Sequence, residues 1–98
     1  MQVKFVWNGI KVDGKLYRAY YWSCTSRNMP EGTITIRAKD YASFPEIPGL
    51  RIINETDLMT DYFDHDRVYV TPKNHWYPQV LEAYNRAQEH RERMRKRA

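Results

Sequence analysis

Two turn dipeptides, Asn8-Gly9 and Asp13-Gly14, stand near the start of this 98-residue chain with only three residues between them. Both suit the left-handed backbone of a tight hairpin connection. The residues before them alternate, with Val3, Phe5 and Trp7 on one side and Lys4 and Val6 on the other, the period of a half-buried strand. Two full hairpin turns so close together leave little strand between them, so Asp13-Gly14 is expected to be the turn and Asn8-Gly9 a bulge. The long aromatic run "KLYRAYYWS" then returns along the first strand. After the break "RNMPEG", "TITIRA" adds a third strand with Ile34 and Ile36 facing in and Thr33, Thr35 and Arg37 facing out. Such local pairing commits the chain to an antiparallel sheet.

The segment "KDYASFPEIPG" carries two prolines and reads as a loop, after which "LRIIN" and "RVYV" supply a fourth and a fifth strand. Pro78 suits the first turn of a helix whose inner stripe is expected to be Val80, Leu81, Tyr84, Ala87, Gln88, Arg91 and Met94. The expected fold is α+β: a single domain over 1–98 with a curved, mostly antiparallel four- or five-stranded sheet over about 2–71 and one long C-terminal helix over about 77–96.

Hydrophobic residues make up 42% of the chain and aromatic ones 14%, enough large side chains to close a core without disulfides. Cys24 is the only cysteine, which excludes an internal disulfide and multi-cysteine zinc patterns and favours a reducing, cytoplasmic setting. The opening "MQVKFVWN" has neither the charged n-region nor the apolar h-region of an export signal, and no membrane association is expected.

The formal charge of +4 is unevenly spread. Asp57, Asp61, Asp64 and Asp66 crowd "TDLMTDYFDHDRVYV", whereas "RERMRKRA" ends the chain with Arg91, Arg93, Arg95, Lys96 and Arg97. The acidic cluster has the donors a hard cation takes but lacks the spacing and distal Glu of a calcium loop, so its aspartates read as helix caps and turn residues, with no metal or other cofactor. No phosphate-cradling Gly-rich loop or HExxH motif occurs, and a thiol/imidazole pair of Cys24 with His65 or His75 has no support from spacing. A non-enzymatic binding protein is the expectation.

The candidate binding residues fall into three groups. Tyr17, Arg18, Tyr20, Tyr21, Trp22, Arg37 and Tyr69 offer aromatic rings beside cations on the sheet, the composition with which sheet modules stack bases and hold phosphates. Asp61, Asp64 and Asp66 offer an acidic surface suited to a basic groove. Arg91, Arg93 and Arg95 offer a polyanion-contacting helix end, against the plainer account of cations complementing a helix macrodipole.

The segments "NGIKVDGKLYRAYY", "PEGTITIRAKDY" and "NETDLMTDYFDHDRVYVTP" resemble small uncharacterised proteins of bacterial phages and integrative mobile elements, a likeness spanning residues 8 to 72. The resemblance implies an accessory or anti-defence role: binding a host protein or nucleoprotein complex, for example as an inhibitor of a CRISPR effector nuclease. No site residue carries over from it. The alternative function is a small basic nucleic-acid-binding module working through the aromatic sheet face and the Arg-rich helix.

Overall fold

A computed structural model describes residues 1–25, 28–56 and 64–97, the side chains of 54–56, 64 and 97 aside. Both early dipeptides contribute to turns. β1 (Val3–Val6) and β2 (Gly9–Val12) pair antiparallel with Val6 opposite Gly9, and β3 (Lys15–Ser23) pairs with β2 with Val12 opposite Lys15. Each connection is therefore two residues long, Trp7-Asn8 and then Asp13-Gly14. Asp13 (φ 51°) and Gly14 (φ 85°) are both left-handed, as a type I′ hairpin turn requires.

The bulge expected at Asn8-Gly9 is thus corrected to a turn, and the sheet gains a strand. Gly9 itself opens β2, where a Cβ would lie 2.2 Å from the Tyr17 carbonyl oxygen. That close backbone approach makes room for a short strand between two tight turns.

β4 (Ile34–Ala38), β5 (Ile52–Thr56) and β6 (Asp64–Val70) complete one six-stranded sheet of order β1-β2-β3-β4-β6-β5, and every neighbouring pair is antiparallel. The fold is the expected α+β arrangement, an antiparallel sheet with one C-terminal helix, α1 (Tyr77–Arg97). Phe5, Ile10, Ala19, Tyr21, Ile36 and Val68 share one sheet face and are buried. Val80, Ala83 and Ala87 of α1 join them in one core, together with Phe44, Ile47 and Leu50 from the proline-bearing loop. Each large side chain buried this way contributes about 1.5–3 kcal/mol.

Asn74 sets the start of α1. Its Oδ1 accepts from the Trp76 N–H (2.9 Å) and its Nδ2 donates to the Gly49 carbonyl (3.0 Å), while the Trp76 indole N–H donates to the Pro48 carbonyl (2.8 Å). Pro78 costs no helical hydrogen bond, because the first four N–H groups of a helix have no carbonyl partner. The inner stripe differs from expectation: Val80, Ala83 and Ala87 are buried and Tyr84 and Arg91 half-buried, but Leu81 and Met94 are 37% and 56% exposed and Gln88 is exposed. Leu81 and Gln88 each follow a buried residue by one position, which turns them about 100° away from the sheet. Among the described residues no helix is long and apolar enough to cross a membrane.

Candidate functional site

Strand alternation sends Arg18, Tyr20 and Trp22 to the sheet face opposite the buried Ala19 and Tyr21. The register then aligns two rows on that face. Trp22 stands opposite Thr35, which stands opposite Tyr69; Tyr20 stands opposite Arg37, which stands opposite Arg67. An open cavity of about 480 Å³ lies over these rows, bordered by Trp22, Thr35, Arg37, Arg67 and Tyr69. Half-buried Cys24 lines its margin.

The face is electropositive. Among its strand residues with described side chains, Lys4, Lys11, Arg18, Arg37 and Arg67 are cationic and none is acidic, while Glu55 of β5, opposite His65, takes an acidic register position on the same face. Arg37 donates through Nε to His65 Nε2, which leaves its terminal nitrogens as further donors in the fixed fork of a guanidinium. Arg67 donates through Nη1 to the Tyr69 hydroxyl at 3.4 Å, and Lys39 holds its ammonium 5.6 Å from the centre of the Tyr20 ring. Aromatic faces and fixed cations therefore alternate across three strands.

A second concavity opens at the side of β3. The β2 pairing ends at Gly9 opposite Arg18, and Ala19 N–H takes the Asn8 carbonyl at 3.0 Å, so among the described residues 20–23 have no strand neighbour on that side. The end of α1 lies there instead. Arg91 donates to the Tyr21 carbonyl (3.2 Å) and sets its guanidinium 4.6 Å from the centre of the Trp22 ring, while His90 stacks on Trp7 with ring centres 4.1 Å apart. The groove between these pairs has a volume of about 310 Å³, with Ala19, Tyr21 and Ala87 also lining it and Arg18 and Lys39 among its borders. Trp7, Tyr20 and Trp22 are 42%, 43% and 48% exposed, unusually open for such large rings.

Of the residues expected from sequence, Arg18, Tyr20, Trp22, Arg37 and Tyr69 come together on this face. Tyr21 does not: it lies fully buried on the helix side, its hydroxyl donating to the Gly9 carbonyl at 2.7 Å, and burial holds its phenol far above the usual range. Tyr17 is half-buried against the same core, under the Lys15 ammonium at 5.0 Å. Thr35 faces out as expected, opposite Trp22, and is 7% exposed.

Asp66 is likewise no surface carboxylate or turn residue. It sits within β6, buried, and its Oδ2 accepts the Phe44 N–H at 2.9 Å, holding the proline-bearing loop against the sheet. Asp64 begins β6, with its side chain outside the described residues, as are Asp57 and Asp61 altogether. Arg93 and Arg95 are exposed on α1, whereas Arg91 packs as described. Among the described residues no group of three His, Cys, Asp or Glu side chains is arranged to hold a metal ion.

Four residues of the site escaped the sequence reading: Trp7, Lys39, Arg67 and His90. Strand alternation in "DRVYV" pairs Arg67 with Tyr69 on one face and was a usable signal. No spacing rule brings Trp7 to His90, because their contact depends on where the helix ends relative to the first hairpin. No protein-family model matches the chain, and no curated protein or solved structure is significantly similar to it.

Proposed function

We propose that the chain is a non-enzymatic binding protein that holds single-stranded nucleic acid on the helix-free face of its sheet. The observation that carries this reading is the pair of adjacent cross-strand rows, Trp22–Thr35–Tyr69 and Tyr20–Arg37–Arg67. Exposed rings stack on unpaired bases at about 1–3 kcal/mol per base, without regard to sequence, and neighbouring guanidiniums hold the phosphates. A duplex hides its base faces, so a flat aromatic surface favours the single strand. The half-exposed Cys24 suits a reducing, cytoplasmic setting.

The test is fluorescence anisotropy of a labelled oligothymidylate at two salt concentrations. Binding should weaken steeply with salt, Trp22→Ala should lower affinity at both concentrations, and Arg37→Ala should also flatten the salt dependence. Salt-independent or absent binding defeats the reading.

A second reading shares the surface. Exposed Trp7 and Trp22 beside arginine are the side chains that anchor protein interfaces, as binding to a host protein or nucleoprotein such as a CRISPR effector nuclease would require. It predicts capture of a host protein that resists both nuclease treatment and added salt.

A further inference from the structure

We infer that the groove between Trp7–His90 and Trp22–Arg91 is a second nucleotide subsite, which carries a single strand from the sheet face around the open side of β3 and onto the end of α1. The inference rests on the proposed nucleic-acid reading and extends it to a path. Its first support is continuity: Trp22 borders both the cavity on the sheet face and the groove, so a strand leaving one enters the other without crossing intervening surface. Its second is composition. Arg18, Lys39, His90 and Arg91 line the groove and no described acidic residue does, while its remaining lining is mainly aromatic or small. A planar base and its phosphate match that pairing of rings and cations better than an apolar chain, which would leave the cations desolvated and unpaired.

The third support is preorganisation. Arg91 is fixed by the Tyr21 carbonyl and the Trp22 ring together, and His90 is stacked on Trp7, so both walls are set before a ligand arrives. Because β2 stops opposite Arg18, no described strand blocks the passage between them. The sheet face alone then accounts for short oligonucleotides, and the groove is reached only by longer ones.

The experiment measures binding of oligothymidylates of about four and about twelve nucleotides, within the range a single sheet module covers. Trp7→Ala removes one wall. His90→Glu, a change at an exposed helical position that leaves the core alone, places a negative charge in the groove. Both variants should bind the short oligonucleotide within about twofold of the unmodified protein and the long one at least about fivefold more weakly. Arg37→Ala, on the sheet face, should weaken both lengths. If the groove variants leave the long oligonucleotide unaffected, or weaken both lengths equally, the subsite is refuted while the Arg37 effect still upholds the sheet-face reading. If the unmodified protein binds neither length, or Arg37→Ala weakens neither, the sheet-face reading falls and the subsite with it.

Discussion

Arg91 covers the Trp22 indole from the helix side, its guanidinium carbon 4.6 Å from the ring centre, and so ties the Arg-rich end of α1 to the aromatic strand β3. The same side chain donates to the Tyr21 carbonyl on the side of β3 that β2 leaves uncovered. One residue of the basic tail is therefore built into the fold, while Arg93 and Arg95 stand in solvent.

That difference predicts unequal costs along one helix. Arg91→Ala removes a cation–π contact and a hydrogen bond and should destabilise the protein by about 1–2 kcal/mol. Arg93→Ala and Arg95→Ala should each stay within about 0.5 kcal/mol of the unmodified protein. Urea denaturation of the three variants measures this, and equal values would show that the Arg91 contact adds nothing to stability.

Tyr21→Phe tests the buried hydroxyl. It leaves the Gly9 carbonyl without the Tyr21 donor in a place where Ile10 and Tyr21 exclude water, so a loss of about 1–3 kcal/mol is expected with the ring packing preserved. A variant as stable as the unmodified protein would mean that the carbonyl finds another partner.

The same tyrosine should make stability fall at alkaline pH. Its phenol keeps its proton in the folded state, because burial opposes the charged form, but releases it in the unfolded state above a pH of about 10. Below that pH both states hold the proton and the group adds no pH dependence. Above it the folded state binds one proton more, so this group lowers stability by about 1.4 kcal/mol per pH unit. Denaturation midpoints followed from about pH 9 to about pH 11, the range spanning an ordinary phenol's titration, should decline more steeply for the unmodified protein than for Tyr21→Phe. Parallel declines would exclude Tyr21 as the cause.

Gly49 is a position where both backbone and space are restrictive. Its φ is 84°, and a Cβ would come within 2.6 Å of His75 Cε1, beside the hydrogen bonds that join Pro48 and Gly49 to Trp76 and Asn74. Gly49→Ala should cost about 1–3 kcal/mol by straining this junction. A thermal melt of the variant that coincides with the parent would show that the loop moves aside without cost.

What the sequence disclosed follows from period and proximity. Alternation identified the strands containing Ile34, Ile36 and Val68, and Pro78 marked the first turn of α1, because these signals are local. Alternation also separates Tyr20 from Tyr21, but it does not say which of the two faces the helix, and only the register with β4 and the packing of Ala83 and Ala87 decide that. Asp66 misled for the opposite reason: aspartate favours turns by local propensity, yet a distant backbone N–H, that of Phe44, supplies the partner that makes its burial tolerable. The Trp7–His90 contact joins opposite ends of the chain and has no local signature.

The tail beyond Arg91 offers the last test. Arg93, Arg95 and Lys96 are exposed on the final turns of α1, and Arg93 lies beside Trp7 and His90 at the outer wall of the groove. Their charge complements the negative end of the helix dipole, which would explain them without any ligand. A strand running through the groove would instead bring phosphates within their reach. Deleting residues 92–98 keeps Arg91 and its contacts, so the fold should survive with stability within about 1 kcal/mol of the full chain. Binding to a long oligothymidylate should then show a slope of log affinity against log salt that is flatter by about 0.7 for each phosphate the tail no longer neutralises. A short oligonucleotide confined to the sheet face should keep its slope. Identical slopes for full-length and shortened protein at both lengths would reduce the tail beyond Arg91 to a solvated helix end and confine the phosphate contacts to the cations the shortened protein keeps, Arg18, Arg37, Arg67, Lys39 and Arg91 among them.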